Sequence, residues 1–586
     1  MNPIAKLSLL GNGKRYWIIL LITFFMVSGC SKSKKKTPIA KTKTTANQSD
    51  STVRKSTDSK TLKTNTSQYS TSYTQLSEKQ RTRAKSLFTQ HCAECHGEKG
   101  DGQTIAARFL FPKPRDFRSG HFRLVTTENG VPLNEDLEKV LARGMPGSSM
   151  PPWPAIRKED LKLLAEQVIE FRREGIRAME RATAADEGED VDEQELHKLV
   201  QRLTTPSQAV KVASFAPKTP EAIQRGKKLY VTKGCVGCHG EKGRGDGQEK
   251  MVDVEGLPTR PRDLTKGIFK GSPDYASIYR RTQAGMPGSP MPAAKQMTPQ
   301  EVSDLVHFVL SLSDEATRKT VVMNRETITA KQVVKLPAAI DSPVWNESAP
   351  VRLRMTPLWW RDDFEPFLEV RALHDGTNLS FLLSWKDITN DQHAATSSAF
   401  EDAVALEIYR GDAEPFLGMG VKKTNLDVWM WDADRQNRVG IDKINPNIVV
   451  DNYPFSERFS RTAEYQRPAT KTSAQPKISS PAKASGNPIV PGKGVSAGSS
   501  LITGGPGTVK FRPPINQTVK ANGVWKNHRW NVVMTRSLKV ANPDGGFSLQ
   551  PGAKISVAFA VWNGSQKDRD GKKLITIWQD FVLEKK

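Results

Sequence analysis

Five cysteines are distributed so that none is left over for a structural disulfide, which constrains this 586-residue chain more than any other feature. Cys30 closes an apolar stretch near the start, and the other four form Cys92-Ala-Glu-Cys95-His96 and Cys235-Val-Gly-Cys238-His239. Without staples, each domain must bury an adequate core or wrap a bound group. In Cys-x-x-Cys-His the two thiols lie one helical turn apart and can add across the two vinyl groups of one porphyrin. The His that follows then sits beneath the iron as its proximal ligand. A thioredoxin-type dithiol gives the His no role, and a zinc site needs four convergent ligands that neither segment has nearby. Two covalent c-type haems are expected, with Cys92, Cys95, Cys235 and Cys238 as thioethers and His96 and His239 as iron ligands.

The flanking residues repeat as well. Gly-Glu-Lys-Gly-Asp-Gly, Lys113-Pro114-Arg115-Asp116-Phe117 and Arg143-Gly144-Met145-Pro146-Gly147-Ser148-Ser149-Met150-Pro151 follow the first motif. Gly-Glu-Lys-Gly-Arg-Gly-Asp-Gly, Arg260-Pro261-Arg262-Asp263-Leu264 and Ala284-Gly285-Met286-Pro287-Gly288-Ser289-Pro290-Met291-Pro292 follow the second. Each copy ends in an amphipathic helix, marked by Leu161, Leu164, Ala165 and Val168 or by Val302, Leu305, Val306 and Val309. The modules resemble class I cytochromes c, small all-α domains whose terminal helices cross above the haem. A thioether is a soft ligand that favours Fe(II), so a loop Met is expected on the far side of each iron. The resemblance implies the second Met of each pair, Met150 and Met291, with Met145 and Met286 as packing residues. The expected limits are residues 76–180 and 211–315. The acidic stretch from Asp186 to Glu195 falls in a linker, residues 181–210, read as solvated, with docking of a basic partner the lesser alternative.

Lys14 and Arg15 precede an apolar run from Trp17 to Val27 that ends at Val27-Ser28-Gly29-Cys30. The run is too short for a hydrocarbon core needing roughly 20 residues, but it suits a signal peptide. The closing tetrad resembles the bacterial lipobox, so residues 1–30 are expected to direct export and Cys30 to carry lipid. Ser31 at the next position implies the outer rather than the inner membrane, on the periplasmic side. Residues 31–75 read as a disordered tether. The formal charge of +24 invites a nucleic-acid reading, but 17 of those charges lie before Ser70 or between Arg467 and Lys510, in segments expected to be unfolded. Nucleic acid is therefore not an expected partner.

From about Val321 helical periodicity gives way to strand-like runs such as Ala403-Val-Ala-Leu-Glu-Ile-Tyr409 and Ile555-Ser-Val-Ala-Phe-Ala-Val-Trp562. An all-β antiparallel sandwich is expected over 321–586, with a disordered insertion at about 465–507. Asp341-Ser-Pro-Val-Trp345, Leu373-His-Asp-Gly376, Trp385-Lys-Asp387, Asn425-Leu-Asp-Val-Trp429, Trp530-Asn-Val-Val-Met-Thr-Arg536 and Phe559-Ala-Val-Trp-Asn-Gly564 resemble the gamma subunit of ethylbenzene dehydrogenase. That resemblance implies one non-covalent b-type haem held by a Met and a Lys, which map to Met419 and Lys573, with Lys572 as the alternative. It also implies an electron-transfer subunit rather than the catalytic one. Its partners would be the molybdopterin and iron–sulfur subunits of an oxidoreductase, of nitrite oxidoreductase or ethylbenzene dehydrogenase type. Soluble or membrane cytochromes of the respiratory chain would take the other end. The competing expectations are a dihaem cytochrome whose sandwich is a sensor or binds sugar through Trp359 and Trp360, and a peroxidase with an open haem face.

Overall fold

The computed structural model describes residues 76–213, 217–248, 250–392, 400–421, 424–437, 496–541 and 546–585. The expected signal peptide, Cys30, the tether and most of the insertion lie outside them. The described residues belong to a single compact unit, Tyr69–Lys586.

Each Cys-x-x-Cys-His motif is carried between a capped helix and a second helix that crosses it. In the first module Ser77 and Gln80 form a capping box at the start of α1 (Glu78–His91), which leads into the one-turn α2 (Ala93–His96). After α3 (Asn134–Arg143), α4 (Lys158–Glu187) packs on α1 through Leu164, Ala165 and Val168 against Leu87 and Phe88. α4 runs past the expected boundary at 180 and turns into α5 (Glu193–Thr204). Ile176, Leu196 and Val200 form a small core there, and Arg181 pairs with Glu193 at 2.9 Å. The acidic stretch is exposed to solvent, as expected of a connector, and forms the turn of a helical hairpin. Asp192 caps α5 and Glu193 and Glu195 occupy its first turn, where carboxylates suit the positive end of the helix.

The second module repeats the plan with α6 (Pro220–Thr232), α7 (Cys235–His239), α8 (Tyr275–Ala284) and α9 (Pro299–Ser311). A two-stranded ribbon, β1 (Met251–Val252) with β2 (Pro258–Thr259), is inserted after the motif. The α6–α9 crossing depends on Gly226: a Cβ there would stand 2.0 Å from the Asp304 carbonyl oxygen. The two modules touch through Arg143 Nη1 to the Phe269 carbonyl at 3.3 Å, Arg281 Nη1 to the Arg123 carbonyl at 3.1 Å, and the Arg123–Asp253 and Arg115–Glu255 ion pairs.

The strands that follow are β3 (Thr327–Gln332), β4 (Val351–Arg354), β5 (Thr356–Pro357), β6 (Phe367–His374), β7 (Asn378–Lys386), β8 (Ala403–Arg410) and β9 (Leu426–Asp432). Then come β10 (Gly498–Thr503), β11 (Lys510–Phe511), β12 (Lys520–Trp525), β13 (Arg529–Ser537), β14 (Ile555–Trp562), β15 (Leu574–Ile575) and β16 (Gln579–Leu583). They form one sheet in the order β11-β10-β9-β8-β14-β16-β3-β6-β7-β13-β12, folded over so that its two halves face each other. Trp429 and Trp431 of β9 meet Phe381 of β7 and Trp385 and Trp530 of β7 and β13 in the shared core, the Trp431 and Trp530 ring centroids 4.8 Å apart.

Two expectations are corrected here. The sheet is mixed, because β3 pairs in parallel with both β16 and β6. β3 enters from the second module and slots between strands that the whole domain separates in sequence, a connection long enough for parallel pairing. In addition, β10 lies inside the stretch assigned to the disordered insertion, and Lys510, counted among its unfolded charges, begins β11. Gly498, Ser499 and Ser500 look like linker residues, but β10 pairs with β9 from Gly498 to Thr503 and packs closely, a Cβ on Gly498 falling 2.6 Å from the Val519 carbonyl oxygen.

The segments that carried the family resemblance turn out to brace the sandwich. Asp427 receives Arg512 at 3.4 Å and Arg536, all three buried. Asp402 accepts from Trp530 Nε1 at 2.9 Å and the Gly564 amide at 2.9 Å, and Asp387 accepts from Asn563 Nδ2 at 2.9 Å. Buried polar groups placed so far apart in sequence are tolerated because each finds its partner.

Candidate functional site

In both modules the backbone amide of the His lies near the first Cys. His96 N donates to the Cys92 carbonyl at 2.9 Å, so Cys92, Cys95 and His96 share one turn. His96 Nδ1 lies 3.0 Å from the Arg115 carbonyl, and its ring stacks on Phe117 with centroids 4.4 Å apart. A carbonyl can only accept, so Nδ1 carries the proton and Nε2 keeps the lone pair an iron would use. Burial pushes His96 and His239 down to about 4, so both rings are neutral near pH 7. Burial also pushes the Cys92 and Cys95 thiols up to about 12, the opposite of what a reactive dithiol needs. Among the described residues no group of three or more His, Cys, Asp or Glu is arranged to hold a metal ion, so zinc has no cage.

The methionine loops are the same in both copies. Met145 N donates to the Met150 carbonyl at 3.0 Å, and Met286 N to the Met291 carbonyl at 3.1 Å. Ser148 Oγ and Ser289 Oγ each donate to the carbonyl of the first Met and accept from the amide of the second. Met150 packs, like Phe117, against the core that contains Cys92, and both Met145 and Met150 line a crevice that reaches Met323 and Trp360. In the second module, a cavity of about 710 Å³ is lined by Cys235, Cys238 and His239 and by both Met286 and Met291. A thiol pair, a neutral imidazole and a thioether around such a cavity fit a covalently held porphyrin.

The sandwich carries its own cavity, also about 710 Å³, on the outer face of β8 and β14 rather than between its layers. Along these strands Val404, Leu406, Ile408, Val557, Phe559 and Val561 point into the core. The alternate positions Ala403, Ala405, Ala558 and Ala560 form a recessed floor of methyl groups. Met419 and Lys573 line this space. Met419 has φ +94°, between Gly418 and Gly420 that also have positive φ, a conformation a non-glycine residue rarely adopts. The loop is clamped at both faces. Glu407 accepts from the Gly418 and Met419 amides at 3.4 and 3.3 Å, while the Met419 carbonyl accepts from the Gly505 amide at 2.8 Å and Thr503 Oγ1 at 3.0 Å. Such strain persists where surrounding contacts over-determine it, and it clusters at ligand sites.

Lys573 is buried, which lowers its pKa against the opposing pull of Glu407, and its Nζ rests 4.8 Å from the Trp562 ring centroid. Burial raises Glu407 to about 7, with Lys573 pulling the other way. An amine ligates iron only when neutral, and burial favours that form. Lys572 is engaged elsewhere, donating to the Gln566 carbonyl at 2.6 Å. The alanine floor and Glu407 escaped the sequence reading. The available signal was alanine recurring every second residue in two strands, which breaks the usual bulk of a packed face.

Trp359 and Trp360 do not form a joint exposed platform: Trp360 is buried beneath Arg262 of the second module, while Trp359 stays partly exposed and stacks on Phe111 of the first at 5.4 Å.

Residues 342–574 match the family described as ethylbenzene dehydrogenase. Residues 223–313 match cytochrome c, and residues 79–166 match cytochrome c oxidase, cbb3-type, subunit III. A Haloferax mediterranei protein called "Putative respiratory nitrate reductase heme subunit ORF7" is 24% identical over 216 residues, which are 36% of this chain. The chain spans about half, 55%, of that relative's length. A Kuenenia stuttgartiensis chain from a reducing HAO-like protein complex is 31% identical, with a TM-score of 0.34, over 41% of this chain and 98% of the other. A family 9 carbohydrate-binding module from Caldicellulosiruptor kristjanssonii in complex with glucose is 7% identical, with a TM-score of 0.22, over 44% of this chain and 97% of the module.

Proposed function

For a multihaem electron-transfer cytochrome, built of two cytochrome c domains that bind haem covalently and one ethylbenzene dehydrogenase-type domain, we propose service as the haem subunit of a molybdopterin oxidoreductase. The observation that carries the reading is the sandwich cavity, where a strained Met419 and a buried Lys573 share an alanine-floored space suited to a flat apolar ring. Met419 and Lys573 would hold one b-type haem there, and the His96/Met150 and His239/Met291 pairs would hold the covalent haems. Bound iron porphyrin supplies one-electron chemistry. The chain's own part is to bind and orient. The Arg115 carbonyl fixes the His96 tautomer, Glu407 holds the Met419 loop, and burial keeps Lys573 able to donate its lone pair.

Electrons would pass between the iron–sulfur subunit of a nitrite oxidoreductase- or ethylbenzene dehydrogenase-type partner and a cytochrome of the respiratory chain. The relative called a respiratory nitrate reductase heme subunit supports a partner of this general kind. The same reading includes export, lipidation at Cys30 and attachment to the periplasmic side of the outer membrane, on the strength of Val27-Ser28-Gly29-Cys30.

Acid-acetone extraction followed by a pyridine haemochrome assay tests the layout. The expected result is two retained haems and one extracted; no extractable haem would remove the sandwich's proposed role. Co-purification with a molybdenum- and iron–sulfur-containing enzyme tests the partner. Lipid at the mature amino terminus, lost in Cys30→Ala, tests the anchor.

A further inference from the structure

The wall of the sandwich cavity is not made by the sandwich alone. Cys95, Phe109, Leu110 and Pro151 of the first cytochrome domain line the same space as Met419 and Lys573. The segment carrying Phe109 and Leu110 is stitched to the sandwich through its main chain. Phe111 N donates to the Leu358 carbonyl at 3.0 Å, and Trp360 N to the Phe111 carbonyl at 2.8 Å. Contact continues at the rim, where a Cβ on Gly571 would stand 2.6 Å from Phe109 Cβ. Phe109 is nevertheless 42% exposed, a large apolar surface beside an apolar cavity and so one that a flat ring could cover. The second cytochrome domain meets the sandwich elsewhere, through Arg260 and Lys266 at Asp362 and Arg262 over Trp360.

We propose that the Met419/Lys573 pocket is bipartite, with the first cytochrome domain as its outer wall, so that a porphyrin bound there has the Cys95 edge of the first covalent haem as its immediate neighbour. This rests on the b-type haem reading above. Phe109 and Leu110 are positioning residues: they exclude water from the ring and touch no iron. The second cytochrome domain, which meets the sandwich at Asp362 and Trp360, contributes none of the described residues that line this cavity.

The test uses the full mature chain and two readouts. In the Phe109→Ala/Leu110→Ala variant, transfer of the extractable haem to excess apomyoglobin should accelerate about tenfold or more, as expected when the apolar cover of two side chains is lost. Both covalent haems should be retained. In the wild-type chain, removing the extractable haem should speed hydrogen exchange in residues 105–111 together with residues 416–420, and leave α6–α9 unchanged. Release no faster than wild type, or exchange in 105–111 indifferent to the haem, would overturn the bipartite pocket while leaving the b-type haem intact. A wild-type chain with no extractable haem would overturn both.

Discussion

The two cytochrome domains share a motif, a methionine loop and a helix crossing, yet they surround their histidines differently. His96 has the Arg115 carbonyl at 3.0 Å and Phe117 stacked on its ring. His239 Nδ1 is buried without a hydrogen-bond partner, and Leu264 stands in the sequence where the first copy has Phe117. The second cavity is lined by Arg262, which is buried, and by the partly buried Lys270 and Arg281, whereas the first domain turns Cys95 toward the sandwich cavity. A hydrogen bond to Nδ1 makes an imidazole a stronger donor and favours ferric iron, while nearby positive charge favours ferrous iron. Both effects act in the same direction. The motif sets the attachment chemistry, and the surroundings predict that a haem at the second site has the higher potential.

The largest test of that comparison is steric. Gly226→Val would drive a side chain into the Asp304 backbone and should cost about 3 kcal/mol or more in the second domain. Mass spectrometry should then show covalent haem falling from two to one, with the first domain still loaded.

Next comes the electrostatic difference. Burial, followed by the neighbouring Arg262 and Arg123, lowers the Lys270 pKa well below its ordinary value. At low pH its ammonium favours the ferrous state. As pH rises through the lowered range the charge is lost, so the potential of the second haem should fall. Lys270→Met should abolish that slope and leave a lower potential at acid pH. Spectroelectrochemical titration of both c-type waves checks this, with the first wave as the internal control; equal slopes in both would break the comparison.

Phe117→Leu makes the first domain resemble the second. It should cost about 1 kcal/mol for the lost ring contact, read from a denaturant midpoint, and should alter the first wave alone. The smallest effect is expected at the rim. Arg83, hydrogen-bonded to Asp160 at 3.0 Å and mostly exposed, holds that carboxyl below its usual range. Its stabilisation is present above the unfolded carboxylate value and is lost as pH falls through the lowered one. Arg83→Ala should cost less than about 1 kcal/mol at neutral pH and flatten that acid limb.

Much of the cytochrome half was legible because its signals are local. Cys-x-x-Cys-His spans one turn, the methionine loop nine residues, and the closing helices show their apolar stripe within ten. The sandwich was legible as strands and as a scatter of family-like segments, but those segments brace the fold, as Asp427 with Arg536 and Asp387 with Asn563 do. What the cavity is made of was not legible. Ala405 and Ala560 are separated by an insertion and five strands, and an alanine in a strand reads as weak packing until its neighbour's alanine lies beside it.

From residues alone came the two covalent attachment sites, their histidines, the candidate methionines and the run of strands, all set by chemistry within a few residues of each other. Tertiary structure decided which domain walls the sandwich cavity, which histidine finds a carbonyl, and where the cations cluster. Those depend on surfaces brought together from distant parts of the chain. No local pattern encodes that, because burial and pairing energies are realised only once the domains touch.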